Sequence, residues 1–105
     1  MIVTFDKTYL KELYETGKTS DKKYRFQPDI VSRYRKRIHV LRDAPSPETL
    51  YQLNSLHYEA LSGDKAGIFS IRVNDKYRIE FTISDIGNDK SLTICNITEL
   101  SNHYS

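Results

Sequence analysis

Residues 63–81 read GDKAGIFSIRVNDKYRIEF and contain two runs of alternating residues on either side of a short polar turn. Because successive side chains of a strand point to opposite faces, this alternation predicts a β-hairpin. One face of the hairpin would be apolar and would carry Phe69, Ile71, Val73, Tyr77, Ile79 and Phe81. The other face would carry two arginines, Arg72 and Arg78. The sequence therefore predicts one face for a core and one face for solvent or a ligand.

The turn sets the register of this hairpin. If residues 74–76 form a three-residue loop, Arg72 lies directly opposite Arg78. Like charges in directly opposite positions destabilise a pair of strands. We therefore expect an acidic side chain or an anionic ligand between the two guanidiniums, and Asp75 and Glu80 are the acids nearest in sequence.

The first half of the chain predicts a strand and two helices. Residues 1–5, MIVTF, favour extended geometry, and Asp6 is placed to cap a helix that ends at Gly17, where a left-handed residue is preferred. A polar loop then leads to Pro28, which suits the first turn of a second helix that runs to about Leu41. The apolar stripe of this helix consists of Ile30, Tyr34, Ile38 and Leu41.

A later strand covers residues 91–97, SLTICNI, and is preceded by a turn at Gly87-Asn88. Apolar residues on both faces toward its end predict an interior position in a sheet. The fold class is therefore α/β in the broad sense (α+β), with an N-terminal strand and two main helices packed on a mostly antiparallel, twisted sheet. At 105 residues, we expect the whole chain, 1–105, to form a single domain.

The charge is small but unevenly distributed. A net charge of +2 gives little support to nucleic-acid binding by itself. Residues 33–42, however, contain five basic residues and no acidic one, whereas the last quarter of the chain is rich in carboxylates. The basic segment, with Arg33 and Arg37, is either a solvated helix face or a surface that faces phosphates or an acidic partner.

The single cysteine, Cys95, excludes an internal disulfide and predicts a buried thiol. No paired cysteine or histidine spacing is typical of a zinc site, so we expect neither a metal nor a cofactor. The N-terminal residues lack the apolar core of a signal peptide, and no run approaches the ~20 apolar residues that span a bilayer. We therefore expect a cytoplasmic protein.

The polar residues fit cleavage of a phosphodiester without a metal. No Walker loop, GxGxxG, HExxH or nucleophile elbow is present in the sequence. Arg78 and Arg72 could stabilise phosphate charge, His103 could exchange a proton near neutral pH, and Tyr77 or Tyr104 could stack on a base. The competing interpretation is an exposed histidine near the chain end, two surface charges, and tyrosines that fill the core.

Two segments resemble a known family. GKT at 17–19 and YEALSGDKAGIFSIRVNDKYRIEF at 58–81 are similar to HigB-type toxins, the host-inhibition or killer-protein branch of the RelE/ParE toxin superfamily. The order of elements fits over nearly the whole chain. The resemblance implies a RelE-like microbial RNase fold and metal-independent cleavage of mRNA in the ribosomal A site. It also implies neutralisation by a HigA-like helix-turn-helix antitoxin.

The resemblance assigns roles to individual residues. Arg78 matches the arginine at the scissile phosphate, and His103 matches the histidine of the usual Asp-Tyr-His ending, which is Ser101-Asn102-His103 here. Arg72 and Lys65 match basic positions, and Ser62 replaces a lysine of some relatives. The full set of candidate RNA-binding or phosphate-binding residues is Lys65, Lys76, Tyr77, Tyr104, Arg33 and Arg37.

Two other functions stay open. The same fold could serve a ParE-like inhibitor of DNA gyrase that catalyses no reaction. It could also serve a module that binds RNA or an antitoxin without cleaving. The combination of arginines with a histidine favours the nuclease.

Overall fold

The computed structural model describes residues 1–87 and 89–102. Within these ranges the chain forms two α-helices, α1 (Thr8–Thr16) and α2 (Pro28–Asp43). The strands are β1 (Ile2–Phe5), β2 (Glu59–Ala60), β3 (Phe69–Arg72), β4 (Tyr77–Ile86) and β5 (Asp89–Asn102). Short 3-10 segments lie at Lys22–Tyr24, Pro47–Gln52, Asn54–Leu56 and Gly63–Lys65.

The strands form one sheet in the order β1-β5-β4-β3-β2. β1 runs parallel to β5, and the other neighbouring pairs are antiparallel. The predicted α+β class with a mostly antiparallel sheet is thus confirmed. β5 lies between β1 and β4, which confirms the predicted interior strand. Because β1 pairs with β5, the sheet joins the beginning of the described chain to its end.

The core lies between the two helices and one face of the sheet. The predicted stripe of α2 is buried there in full. Tyr34 is completely buried, and its hydroxyl donates a 2.8 Å hydrogen bond to the carbonyl oxygen of Leu10 in α1. Cys95 is also buried, as predicted, and burial raises the pKa of its thiol to about 12. This thiol is therefore protonated and unreactive at neutral pH.

The helix ends follow the sequence signals with one exception. Gly17 ends α1 in the left-handed conformation with φ 77°, and Pro28 occupies the first turn of α2, both as predicted. The prediction that Asp6 caps α1 is wrong. The residue before the helix is Lys7, which provides no side-chain cap, while the N–H of Asp6 donates to the carbonyl oxygen of Ile97. The backbone of Asp6 thus continues the pairing of β1 with β5, and the helix begins one residue later than a cap at Asp6 requires.

β5 extends beyond the predicted 91–97 at both ends and contains a bulge. Glu80 pairs with Glu99, but the next residue, Phe81, pairs with Ile97, so Thr98 is an extra residue in β5. The Thr98 hydroxyl donates to the carbonyl oxygen of Glu80 at 3.1 Å. An extra residue shifts the alternation of side chains by one position, and the sequence pattern of β5 therefore breaks where the strand continues. Of the predicted turn before β5, Gly87 has a positive φ of 57°, and Asn88 lies outside the described residues.

Candidate functional site

The turn between β3 and β4 places the two arginines as predicted. The side chain of Asn74 accepts hydrogen bonds from the backbone N–H groups of Lys76 and Tyr77, which stabilises a three-residue loop. The register is confirmed, because Arg72 is the direct cross-strand partner of Arg78. Their backbones are therefore adjacent in neighbouring strands. Their side chains, however, find different partners.

The guanidinium of Arg78 is held by groups from three segments. Its Nε donates to Ser70 Oγ in β3 at 2.9 Å, and its Nη2 donates to the carbonyl oxygen of His57 at 2.7 Å. The same Nη2 lies 3.3 Å from Oε1 of Glu59 in β2. Only 11% of the Arg78 side chain is exposed. This guanidinium is fixed in position, which a group that stabilises a transition state requires.

A second ion pair lies beside Arg78. Lys65 Nζ lies 2.9 Å from both carboxylate oxygens of Glu80. The Glu80 side chain is 6% exposed and that of Lys65 is 49% exposed. The hydrogen bond to Glu80 raises the pKa of Lys65 above its usual value. Lys65 is thus the counter-ion of a buried carboxylate.

These side chains line a groove of 360 Å³, which we call the Arg78 groove. Its lining consists of Leu61, Lys65, Ser70, Arg78, Glu80, Glu99, Ser101 and Asn102. With Glu59 against Arg78, three carboxylates accompany the two cations. The described part of the groove is therefore not a strongly positive site.

A second cleft has the opposite character. It has a volume of 610 Å³ and lies between the first half of α2 and the β3–β4 turn, and we call it the Arg72 cleft. Its five basic residues, Arg25, Arg33, Arg37, Arg72 and Lys76, are accompanied by only two acids, Asp29 and Asp75. Tyr77 also lines it, with its ring edge-on to Phe26 at 5.6 Å between centroids.

The positive charges of the Arg72 cleft act on one another. Arg37 Nε donates to the backbone carbonyl of Arg72 at 3.1 Å. Burial, followed by repulsion from Arg33 and Arg72, lowers the pKa of the Arg37 guanidinium. Arg72 forms an ion pair with Asp75, one of the two acids expected near the arginines. A further anion in this cleft would relieve the remaining repulsion.

The structure brings together most, but not all, of the candidate residues. Arg33, Arg37, Arg72, Lys76 and Tyr77 all line the Arg72 cleft, and Lys65 and Arg78 line the Arg78 groove. We expected an acid or an anionic ligand between the two guanidiniums, but the two side chains line different clefts. His103 and Tyr104 lie outside the described residues.

Sequence reasoning missed the partners of Arg78. Glu59 lies in a strand of only two residues, and the carbonyl of His57 follows a 3-10 turn, so neither has a periodic signal. His57 has a positive φ of 47°, the left-handed region that few non-glycine residues occupy. No sequence pattern predicts that a backbone carbonyl in this loop accepts from Arg78.

Comparison with known proteins identifies the family. Residues 3–94 match the family model described as RelE-like toxin of type II toxin-antitoxin system HigB. The chain belongs to this family. Membership implies an antitoxin partner, as in all type II systems, and it confirms the resemblance to the RelE/ParE superfamily. A search of curated proteins gives no match.

A solved structure supports the fold. The chain is similar to the "YoeB/ParE toxin from Agrobacterium tumefaciens", with a TM-score of 0.56 and 17% sequence identity. The alignment covers 99% of this chain and 100% of the other. At this identity the likeness concerns the fold alone.

Residues 1–87 and 89–102 contain no group of three or more histidine, cysteine, aspartate or glutamate side chains arranged to bind a metal ion. In the same ranges, neither helix is both long enough and apolar enough to cross a bilayer.

The Lys65–Glu80 pair predicts a change in stability. Lys65→Met should lower the free energy of unfolding by about 1–3 kcal/mol, because it leaves a buried carboxylate without its partner. Adding Glu80→Gln should restore most of this loss, because the buried group is then neutral. Urea denaturation of both variants and of Glu80→Gln alone measures the coupling. Equal stability of Lys65→Met and the unsubstituted protein would contradict this interpretation.

Proposed function

We propose that this toxin is a metal-independent endoribonuclease that cleaves mRNA in the A site of the ribosome and is neutralised by a HigA-like helix-turn-helix antitoxin. Family membership supports the toxin. The observation that most directly supports nuclease activity is the fixed, nearly buried guanidinium of Arg78 beside a strongly basic cleft. A polyanionic strand needs both a surface that attracts it and a rigid cation at the reacting phosphate.

The proposed reaction uses the nucleophile of the substrate. A ribose 2′-hydroxyl loses its proton to a base, its oxygen bonds to the neighbouring phosphorus, and the bond to the 5′-oxygen breaks as that oxygen takes up a proton. The products are a 2′,3′-cyclic phosphate and a 5′-hydroxyl. Arg78 stabilises the negative charge that grows on the phosphate oxygens. The resemblance implies proton transfer by His103 without naming it as the base or the acid, and we assign it the transfer to the leaving oxygen.

Glu59 is our candidate for the base. It is the carboxylate in contact with Arg78, and half of its side chain (52%) is exposed, so a bound ribose can reach it. Glu80, in contrast, is almost fully buried and both of its oxygens bind Lys65. A carboxylate beside an arginine can accept a proton while the arginine holds the phosphate.

In this proposal the residues of the Arg72 cleft bind the RNA strand and take no part in breaking its phosphodiester bond. Arg72, Arg33, Arg37 and Lys76 supply phosphate contacts, and Tyr77 supplies an aromatic ring near them. We therefore place Arg72 at a phosphate next to the reacting one. Its partner Asp75 is exposed and can be displaced by a phosphate at little cost.

One observation favours a second candidate. Glu80 and Glu99 line the Arg78 groove, and Glu59 lies against Arg78. Together these three carboxylates outnumber the two described cations and would repel a phosphate. This arrangement fits a toxin that binds a protein, such as a ParE-like inhibitor of gyrase, or a module that binds RNA without cleaving it. Gyrase supercoiling and mRNA cleavage on translating ribosomes, measured with the same preparation, separate these functions.

Arg78 tests the nuclease. Arg78→Ala and Arg78→Lys should each lower the rate of mRNA cleavage at least about 10²-fold, because a lysine cannot reproduce the fixed planar donors. Mapping of 5′ ends on translating ribosomes, together with growth after induction, measures the effect. Arg42→Ala, at an exposed arginine outside both clefts, is the control and should cleave normally. Growth arrest with intact messages, or full toxicity of Arg78→Ala, would reject the nuclease.

The proposed role of Glu59 predicts the direction of a change in kcat. Glu59→Gln should lower kcat by about 10²–10⁴-fold without raising KM, since the amide keeps the shape of the side chain but cannot accept the proton. If Glu59 only neutralises Arg78, the same change should instead strengthen RNA binding and leave kcat unchanged or higher. Single-turnover cleavage of a ribosome-bound message distinguishes the two outcomes.

The Arg72 cleft predicts the dependence of RNA binding on salt. Arg33→Ala combined with Lys76→Ala should weaken binding of single-stranded RNA and reduce the slope of log K against log salt by roughly 1.4, about 0.7 for each lost phosphate contact. The matched control is Lys7→Ala with Lys11→Ala, which removes the same charge outside the cleft. An equal loss in both double variants would show that only net charge matters.

A further inference from the structure

Ser70 is a polar residue of β3 that the fold buries completely. Its cross-strand partners are Glu59 in β2 and Glu80 in β4, so Ser70 occupies the position between two glutamates in one row across the sheet. A buried hydroxyl needs a hydrogen-bond partner, because an unpaired polar group away from water is costly. Here the partner is Arg78, whose Nε donates to Ser70 Oγ at 2.9 Å.

Ser70 is a diagonal neighbour of Arg78 and not its direct partner. The residue of β3 directly opposite Arg78 is Arg72, two positions along the strand from Ser70. A long side chain can reach a diagonal neighbour across two strands. The bond to Ser70 therefore draws the guanidinium of Arg78 away from the position opposite Arg72, which pairs instead with Asp75 in the turn. Ser70 thus helps to separate two like charges whose backbones are adjacent.

Two nitrogens of the Arg78 guanidinium are held by described residues. Nε donates to Ser70, while Nη2 donates to the carbonyl oxygen of His57 and lies 3.3 Å from Glu59. A planar group anchored at two nitrogens has a fixed plane and a fixed direction, whereas a group anchored at one nitrogen can pivot about that contact. Nη1 is the remaining nitrogen, and it can hold a phosphate without breaking either anchor.

We propose that Ser70 is a positioning residue for RNA cleavage, which fixes Arg78 so that Nη1 faces the reacting phosphate. Ser70 is fully buried and therefore acts through Arg78 and not by contact with RNA. This inference rests on the proposed nuclease, because it concerns the same guanidinium. It adds that cleavage depends on the direction of Arg78 as well as on its charge. Displacement of a catalytic group by about 1 Å can lower a rate about 10²-fold.

Ser70→Ala tests the inference, because it removes the acceptor and leaves Arg78 in place. For cleavage of mRNA on translating ribosomes, kcat should fall at least about tenfold while KM changes less than about threefold, since the Arg72 cleft still binds the strand. Ser70→Thr keeps the hydroxyl and should retain kcat. The matched control is Thr93→Val, which removes a buried hydroxyl that donates to Asp85 outside both clefts, and it should cleave normally.

Nuclear magnetic resonance follows the anchor of Arg78 independently of activity. In isotope-labelled protein, the arginine Nε–H signal that is absent from Arg78→Lys reports on the hydrogen bond to Ser70. Its hydrogen should exchange slowly with water in the unsubstituted protein and in Ser70→Thr, and at least about tenfold faster in Ser70→Ala. Thr93→Val should leave this exchange unchanged. Thermal unfolding of every variant measures any loss of stability.

Three results would overturn the inference. The first is normal cleavage by Ser70→Ala under conditions in which Arg78→Ala does not cleave. The second is an equal loss of cleavage in Thr93→Val at a comparable loss of stability, which would make the effect of Ser70 a structural one. The third is a change in kcat without a change in exchange of the Arg78 Nε–H, in either Ser70 variant. Normal cleavage by Arg78→Ala would instead reject the nuclease itself, and with it any role for Ser70 in cleavage.

Discussion

The hydrogen bonds of Arg78 are the interaction on which the sheet edge and the candidate site both depend. β2 has only two residues, and two ladder positions cannot hold a strand by themselves. Arg78 joins β4 to Ser70 in β3, to the loop carbonyl of His57 and to Glu59 in β2. The left-handed backbone of His57 costs on the order of 1 kcal/mol, which these contacts must offset. The same bonds therefore stabilise the loop and fix the guanidinium.

This double role of Arg78 explains the composition of its groove. A nearly buried guanidinium requires a nearby acceptor or carboxylate, because burial of an unpaired charge is costly. Glu59 meets that requirement, and Lys65 does the same for the buried Glu80. Among the described residues, three carboxylates therefore accompany two cations, so the groove does not attract a polyanion at long range. In our proposal the Arg72 cleft supplies that attraction, and Arg78 acts only on a phosphate already delivered.

The sequence predicted those parts of the structure in which apolar side chains repeat at a short, regular spacing along the chain. The alternation over residues 69–81 determined which side chains of the hairpin enter the core, and the three-residue turn set the pairing of Arg72 with Arg78. The stripe of α2 and the end of α1 at Gly17 follow from equally local rules. The directions in which the arginine side chains point do not follow from local rules. Each long side chain chooses among partners that only the tertiary fold brings near, such as Asp75 for Arg72 and Glu59 for Arg78. The bulge at Thr98 was missed for a related reason, since one extra residue breaks the alternation from which a strand is predicted.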